Sequence, residues 1–234
     1  MGSSIFNSEK ALEAWEIIKS QFLISTWETV YVTLLATFFA TVIGMPLGVI
    51  LVTGEEKGIR PLPKFLMKIL NLVINILRSI PFLILMILVF PLTRLICGTV
   101  VGTFPTVVPL VIAAFPFIAR LVESSIREVN PNTIEMAQSL GASPMQIVTK
   151  VLIPESVPSL VSNLTIATTT ILGYTAMSGI IGGGGLGKIA INYGYYRYKT
   201  LVMIAAVILL ILLVQILQSI GTWLAIKLNR KLKH

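Results

Sequence analysis

The chain has 234 residues, of which 55% are hydrophobic and 12% are charged, and its formal net charge is +8. Soluble domains carry ~25% charged residues, so this chain has too few charges to cover a soluble surface, whereas the core of a bilayer requires none. The composition therefore excludes a soluble protein, a disordered chain and a collagen-like fibre, and it predicts an integral membrane protein.

Several residue types that carry chemistry are rare or absent. Cys97 is the single cysteine, His234 is the single histidine, and the sequence contains no aspartate. These counts exclude an internal disulfide and a thiolate metal cluster. They also argue against a histidine-dependent hydrolase, a two-metal site and an aspartate-based phosphotransferase. We therefore expect no catalytic residue, no metal site and no enzymatic activity in this chain.

Residues 1–24 are predicted to form an external segment that precedes the membrane domain. Glutamates interrupt any hydrophobic region of a secretory signal here, at Glu9, Glu13 and Glu16. Apolar residues between Ala11 and Phe22 recur at helical spacing, which indicates an amphipathic helix. Such a helix would lie on the outer membrane surface; the alternative is that it docks a partner protein.

Residues 25–226 are predicted to be an all-α domain with five transmembrane helices, because a span needs ~20 apolar residues. Gly44 and Gly48 are separated by three residues in the first span, where they permit close helix packing. The predicted spans are 29–53, 65–90, 100–119, 157–181 and 201–226.

The second span contains two basic residues, Lys68 and Arg78, within an apolar block. We expect the helix to break near Pro81, because proline lacks a backbone donor and clashes with the preceding turn. The break would let Arg78 bond the freed carbonyls or reach the interface. The alternative is a functional role inside the membrane, where charge is expensive.

The longest polar insertion, residues 120–158, predicts two short helices at about 131–153. Asn130 and Pro131 favour a helix start, and Gly141 favours a left-handed stop. Ser143, Pro144 and Gln146 then match a capping box. Ile134, Ala137 and Leu140 share one face of the first helix, and Pro154 and Pro158 are expected to end the second. The sharp corner at Gly141 and Ala142 either enters a groove on another protein or packs on its own spans.

The fourth span is rich in hydroxyl groups, at Thr165, Thr168, Thr169, Thr170, Thr175 and Ser178. These groups either bond back to their own helix, or one face with Thr168 and Thr175 lines a passage. Met177 stands among small neighbours. With a second copy across a twofold axis it would close an apolar gate; the alternative is core packing.

Gly182–Lys188 reads Gly-Gly-Gly-Gly-Leu-Gly-Lys and superficially matches a phosphate-binding loop. Such a loop needs a preceding strand and a Ser or Thr after the lysine, but a membrane span precedes it and Ile189 follows. We therefore predict a tight turn that lets two membrane segments approach closely or hinge.

An odd number of spans places the termini on opposite sides of the membrane. Lys and Arg number eleven on the loops of one side and six on the other, which predicts an external amino terminus and a basic cytoplasmic tail at 227–234. Anionic lipid headgroups account for the net positive charge, so no nucleic acid partner is needed.

The polar insertion resembles the EAA motif of bacterial ABC-importer permeases. The match is Glu135-Met136-Ala137, three residues, Gly141, nine residues and Val151-Leu152-Ile153-Pro154. Met136, Val151 and Ile153 depart from the motif but remain apolar. The resemblance implies coupling helices that dock into an ATPase subunit through Glu135, Met136, Ala137, Gly141, Ala142, Ser143 and Pro144. Pro154 would mark the return into the membrane.

The resemblance extends from Trp27 to about Gln218 and is greatest to methionine-importer permeases. It is carried by residues 78–82, 114–120, 141–148, 173–177 and 184–187. It implies the bacterial cytoplasmic (inner) membrane, a homodimer, two cytoplasmic ATPase subunits that hold ATP and magnesium, and an external substrate-binding lipoprotein. That family lacks the helix predicted at residues 8–20.

The function implied is a permease subunit that forms a homodimeric pathway for methionine and works by alternating access. Three alternatives remain at this stage. They are a permease of the same class for another amino acid or small solute, a passive channel, and a membrane-anchored structural or signalling module.

Overall fold

The computed structural model describes residues 8–229, and every regular element in that range is helical. This confirms the predicted all-α fold class. The α-helices are α1 (Ser8–Thr53), α2 (Lys64–Ser79), α3 (Phe82–Leu88), α4 (Phe90–Cys97), α5 (Val107–Arg127), α6 (Pro131–Ser139), α7 (Pro144–Ile147), α8 (Ile153–Ser178), α9 (Gly185–Ile189) and α10 (Thr200–Leu228).

Four helical runs in the described range are long and apolar enough to cross a membrane: Leu12–Thr53, Val107–Arg127, Pro144–Ile181 and Thr200–Leu228. A fifth span results if α2 and α3, which meet at 109°, count as one broken helix. The predicted break near Pro81 is confirmed, since Ile80 has an extended backbone with φ −80° and ψ 126°, as residues before proline prefer. Arg78 is exposed at the end of α2, and among the described residues no hydrogen bond holds its guanidinium.

The prediction of a separate surface helix before the first span is wrong. α1 runs without a break for 46 residues, or roughly 69 Å, which exceeds the ~30 Å hydrocarbon core. Ala14 and Phe22 are buried against Leu186, Ile189 and Val202. Of the predicted apolar stripe, Ile18 and Phe22 therefore pack on the protein, whereas Leu12 and Trp15 are exposed.

The third span is displaced towards the carboxyl end of the chain from its predicted position. α5 begins at Val107 rather than at residue 100, because the preceding residues turn through Gly98 and Gly102, whose φ values are 75° and 121°. It also continues past Arg120 to Arg127. Hydrogen bonds of its guanidinium keep Arg120 within this helix. The position of Arg120 in the sequence does not reveal these partners.

The chain divides into two compact units. The first comprises the described parts of Met1–Thr37, Phe82–Val111 and Thr168–Leu217, and the second those of Phe38–Pro81, Ile112–Ala167 and Gln218–His234. The basic tail predicted at 227–234 begins inside α10, which ends at Leu228, and its last five residues lie outside the described range.

Close packing between α1 and α5 organises the second unit. Leu51, Met67, Ile74 and Ala119 form a buried apolar cluster. A Cβ atom added at Gly48 would lie 2.6 Å from both the Ala119 carbonyl oxygen and the Val122 Cβ. Gly44 and Gly48 therefore have the packing role that their spacing predicts.

We expect Gly48→Ala to lower the stability of the protein, because the added methyl group meets the α5 backbone, which cannot retreat. The loss should be about 1–3 kcal/mol, as in overpacked cores, although alanine favours a helix by about 1 kcal/mol over glycine. Val42→Ile is a matched control, since it adds one carbon to an exposed position of the same helix. Thermal unfolding in detergent measures the difference, and equal midpoints for the two variants would contradict the packing role.

Candidate functional site

Residues 130–153, called here the corner segment, begin with a well-capped short helix. The Asn130 side chain accepts a hydrogen bond from the Asn132 amide at 3.0 Å, and Pro131 occupies the first helical position. α6 ends at Ser139, and Gly141, two residues later, has a φ of +76°, a left-handed conformation. The Gly141 amide donates to the Gln138 carbonyl and the Ala142 amide to the Ala137 carbonyl. The predicted start and stop of this helix are confirmed.

The second short helix begins with the predicted capping box. The Ser143 hydroxyl accepts from the Gln146 amide at 3.4 Å, and the Gln146 side-chain oxygen accepts from the Ser143 amide at 2.8 Å. Pro144 is the first helical residue. These bonds hold the residues on both sides of the corner in one geometry, because orphan amide groups at the helix start are satisfied reciprocally.

The prediction that Pro154 and Pro158 end the second helix is wrong. α7 passes through a π-helical stretch, Val148–Leu152, directly into α8, which contains both prolines. The Ile153 amide donates to the Val148 carbonyl, five residues back. This widened turn takes up the interruption of regular bonding that a proline causes, so the helix continues. Pro154 thus lies in the first turn of α8 and does not separate two elements.

Three large apolar side chains are exposed at the corner. We call them the corner tip: Met136 is 60% exposed, Leu140 is 81% exposed and Met145 is 67% exposed. Ala137 and Ile147 are buried beneath them. The prediction that Leu140 shares one helical face with Ile134 and Ala137 is wrong, because α6 ends at Ser139 and Leu140 is exposed, whereas Ala137 is buried.

The other residues predicted to contact a partner lie around the corner tip. Glu135, Gly141, Ser143 and Pro144 are exposed, whereas Ala142 is half-buried. Pro154 is also exposed, but it lies beyond the π-helical stretch. The structure therefore brings the predicted contact residues to one corner, with Pro154 apart from them.

Polar contacts tie α5, which leads into the corner segment, to two other helical regions. Arg120 donates to Glu123 at 2.7 Å, to Asn71 at 2.7 Å and to Asn75 at 3.0 Å. Arg127 bonds Glu123 at 2.9 Å and also Glu55. Exposed ion pairs are individually weak, so the network rather than one bond connects α5 with α2 and with the residues after α1.

α8, which follows the corner segment, is also tied to α5. The Asn163 amide group donates to the Ser125 hydroxyl at 2.8 Å and to the Leu121 carbonyl at 3.3 Å. The Ser159 hydroxyl donates to Ser125 at 3.2 Å. None of these polar partners was identified from the sequence, where only the spacing of Glu123 and Arg127 signalled a contact. These hydrogen bonds connect α8 with α5.

The residues predicted to line a passage have different surroundings. Met177 is 46% exposed and shares an exposed face of α8 with Gly173. Thr175 is only 3% exposed; its hydroxyl bonds the Ile171 carbonyl at 2.9 Å and lies 3.4 Å from the Thr33 hydroxyl on α1. The predicted pathway role of Thr175 stays a prediction. Thr168 is half-buried, and its role stays a prediction.

The glycine-rich segment has the close backbone approach that the sequence predicts. A Cβ atom at Gly187 would meet the Ala176 carbonyl, and one at Gly179 would meet the Lys188 amide nitrogen. The end of α8 therefore lies directly against α9. Side chains at these positions would separate the two helices.

Comparison with known families gives one match over most of the chain. A family described as "Binding-protein-dependent transport system inner membrane component" matches residues 40–230. A Vibrio cholerae protein named as a probable D-methionine transport system permease protein MetI is 45% identical over 226 residues, 96% of this chain and all of that protein. The corresponding Escherichia coli K12 permease is 45% identical over 65% of this chain and 70% of its own length.

Solved structures give the same similarity. Two inward-facing crystal forms of the MetNI methionine ABC transporter match with TM-scores of 0.89 and 0.87 at 41% and 42% identity. They cover 92% and 89% of this chain, and 99% and 96% of theirs. The alignment with the Vibrio cholerae relative covers 96% of this chain, so too few residues remain unmatched to include all of residues 8–20. The expectation that related permeases lack the helix at these residues is therefore wrong.

We expect Gly141→Val to loosen the corner segment, because a left-handed conformation costs a side-chain-bearing residue about 1–2 kcal/mol. Space is not the obstacle, since no atom lies within 4 Å of the position of a Cβ. Amide hydrogen exchange at Ala142 should accelerate about tenfold, which corresponds to roughly 1.4 kcal/mol.

Gly141→Asn is the matched control for this change. Asparagine is as large as valine but adopts the left-handed region more readily, so it should preserve most of the protection. Equal acceleration by asparagine and valine would mean that side-chain size, rather than backbone conformation, determines the residue at this position.

Proposed function

We infer the function of this chain from the family to which it belongs, the inner membrane components of binding-protein-dependent transport systems. The chain is a multi-pass permease subunit of an ABC importer in the inner membrane. It is a transport component rather than an enzyme, and its fold is that of the ABC-importer permeases.

We propose that the transported solute is methionine. The support is the 45% identity, over nearly the whole of both chains, to a relative named as a D-methionine permease. The described residues hold no charged constellation that would by itself select an amino acid. The solute is therefore assigned through the relatives rather than through the chemistry of a pocket.

The proposed assembly contains two copies of this chain, two cytoplasmic ATPase subunits and an external substrate-binding protein. Five spans enclose a solute path poorly, whereas two copies about a twofold axis supply ten, and closed symmetry is the usual arrangement of oligomers. ATP and magnesium are bound by the ATPase subunits, and this chain binds no cofactor. Its basic residues face anionic lipid headgroups.

We assign the contact with the ATPase subunit to the corner tip. Exposed apolar side chains of this size mark interaction surfaces, and Met136, Leu140 and Met145 surround a corner whose geometry is fixed by Gly141 and the Ser143 capping box. With the corner tip on the cytoplasmic side, the amino terminus lies outside the cell and the carboxyl terminus lies in the cytoplasm, as the distribution of Lys and Arg favours.

The mechanism we propose is alternating access. ATP binding closes the ATPase subunits and draws the two corner segments together. The contacts of Arg127 with Glu55 and of Asn163 with Ser125 transmit this motion to the spans, and the pathway opens outward. Release of nucleotide from the ATPase subunits after hydrolysis returns the pathway inward. Met177 contributes to an apolar gate between the two copies.

We expect Leu140→Glu to weaken binding of the ATPase subunit at least about tenfold, because loss of a hot-spot anchor costs about 2 kcal/mol or more and about 1.4 kcal/mol corresponds to tenfold. Membrane insertion should be unaffected, since Leu140 lies outside the spans. Co-purification in detergent followed by a binding titration measures the change.

Gln138→Glu is the matched control, since it adds the same charge two residues away on the exposed side of α6 without removing apolar surface. It should bind within a factor of two of the unmodified chain. Tight binding by Leu140→Glu, or an equal loss in both variants, would contradict docking through the apolar corner tip.

The solute is tested by uptake into vesicles that contain the reconstituted complex. We expect ATP-dependent accumulation of methionine that excess unlabelled methionine abolishes and other amino acids do not. Accumulation without ATP would indicate a passive channel and overturn the proposed mechanism. Equal competition by an unrelated amino acid would overturn methionine as the solute but retain the importer.

A further inference from the structure

One carboxylate holds the glycine-rich segment in place. Glu28 of α1 accepts a hydrogen bond from the Gly185 amide at 2.8 Å with one oxygen and from the Thr103 hydroxyl at 3.0 Å with the other. The adjacent Thr29 hydroxyl oxygen accepts from the Leu186 amide at 2.9 Å. α1 therefore supplies the acceptors for the two amides that open α9. We call these five residues the carboxylate clasp.

The surrounding backbone leaves no room for a different arrangement. A Cβ atom at Gly184 would collide with the Thr103 hydroxyl and the Glu28 carboxylate. Gly185 has a φ of +79°, a conformation that glycine adopts at least cost. The Gly102 amide also donates to the Gly182 carbonyl at 2.9 Å. The loop after α4, the start of the first predicted span and the glycine-rich segment are thus joined around Glu28.

The chemistry of the clasp explains why a carboxylate is present at the end of a predicted span. Glu28 is half-buried, and a desolvated charge is costly unless it is hydrogen-bonded. Its two partners are neutral donors, and hydrogen bonds from such donors to an ionised acceptor are roughly twice as strong as neutral ones. The same two amides would be the donors of a phosphate site, and the clasp occupies them.

The clasp lies next to the part of α8 that carries Met177. The Gly183 amide donates to the Ser178 carbonyl at 2.9 Å, and Gly187 packs directly on the Ala176 carbonyl. Met177 lies between these two contacts on the exposed face of α8. Any movement of Gly185 or Leu186 away from α1 therefore displaces the turn of α8 that bears Met177.

We propose that Glu28 is a positioning residue that fixes the end of α8, and with it Met177, against α1. Met177 then closes the pathway only while the clasp is intact. This inference rests on the proposed function to the extent that Met177 is the gate. The clasp itself depends only on contacts within one chain.

The test uses the complete complex with its ATPase subunits and binding protein, reconstituted in vesicles. We expect Glu28→Ala to lower the methionine taken up per ATP hydrolysed about tenfold, while the rate of ATP hydrolysis stays within a factor of two. Glu28→Gln should fall between, because its amide oxygen still accepts from Gly185 but carries no charge. Glu16→Gln, the same change at an exposed position of α1, should leave both quantities unchanged.

Amide hydrogen exchange in the same complex provides a readout that does not depend on transport. Glu28→Ala should accelerate exchange at Gly185 at least tenfold, with a smaller effect at Leu186, whose acceptor is Thr29. Accelerated exchange with an unchanged uptake-to-ATP ratio would overturn the link to the gate. Unchanged exchange would overturn the clasp. If the unmodified complex imports no methionine, the proposed function fails while the exchange result still decides the clasp.

Thr103→Val provides a second variant if Glu28→Ala does not assemble. It removes one donor and keeps the carboxylate. The uptake-to-ATP ratio and the exchange rate at Gly185 should therefore change in the same direction as in Glu28→Ala, by about a third as much on a logarithmic scale. A Thr103→Val complex that matches the unmodified one in both exchange and uptake would also overturn the proposal.

Discussion

Polar groups within this chain must find their partners inside the protein, because the hydrocarbon around a span offers none. Several polar side chains kept in apolar helices therefore become fixed points between helices. Arg120 joins α5 to Asn71 and Asn75 of α2, Asn163 joins α8 to Ser125 of α5, and Glu28 joins α1 to the glycine-rich segment. Apolar contacts fill the space between these polar contacts, but they do not fix the axial position of one helix relative to another.

The two glycine-containing corners show how one residue type serves opposite purposes. Gly141 has open space around the position of a Cβ, and its neighbours Leu140 and Met145 are exposed. Gly184 and Gly187 have no such space, because hydroxyl, carboxylate and carbonyl oxygens already lie against them. The first corner keeps a fixed shape and presents apolar surface to a partner. The second corner, at Gly184 and Gly187, is held by contacts within the chain and presents no surface to a partner.

Local signals in the sequence predicted local structure well. The helix start at Asn130, the left-handed stop at Gly141, the capping box at Ser143 and the break before Pro81 each depend on a few adjacent residues, and the structure has all four. The third span and the second corner helix were misplaced at their ends. Uncharged residues such as those at 100–106 do not mark a turn, and a π-helical stretch allowed the helix to continue through Pro154.

The sequence by itself determined the class of protein, since so few charges require a bilayer, and it determined the corner, since caps and left-handed glycines act within one turn. The tertiary structure alone decided which face of each helix is buried. The Thr175 hydroxyl lies near Thr33 of α1, and Leu140 is exposed although Ala137 is buried. Phe22 packs on the protein, whereas Leu12 and Trp15 of the same predicted stripe are exposed. The physical reason is that lipid and protein interior are equally apolar, so hydrophobic spacing cannot distinguish them, and only contacts between distant residues do.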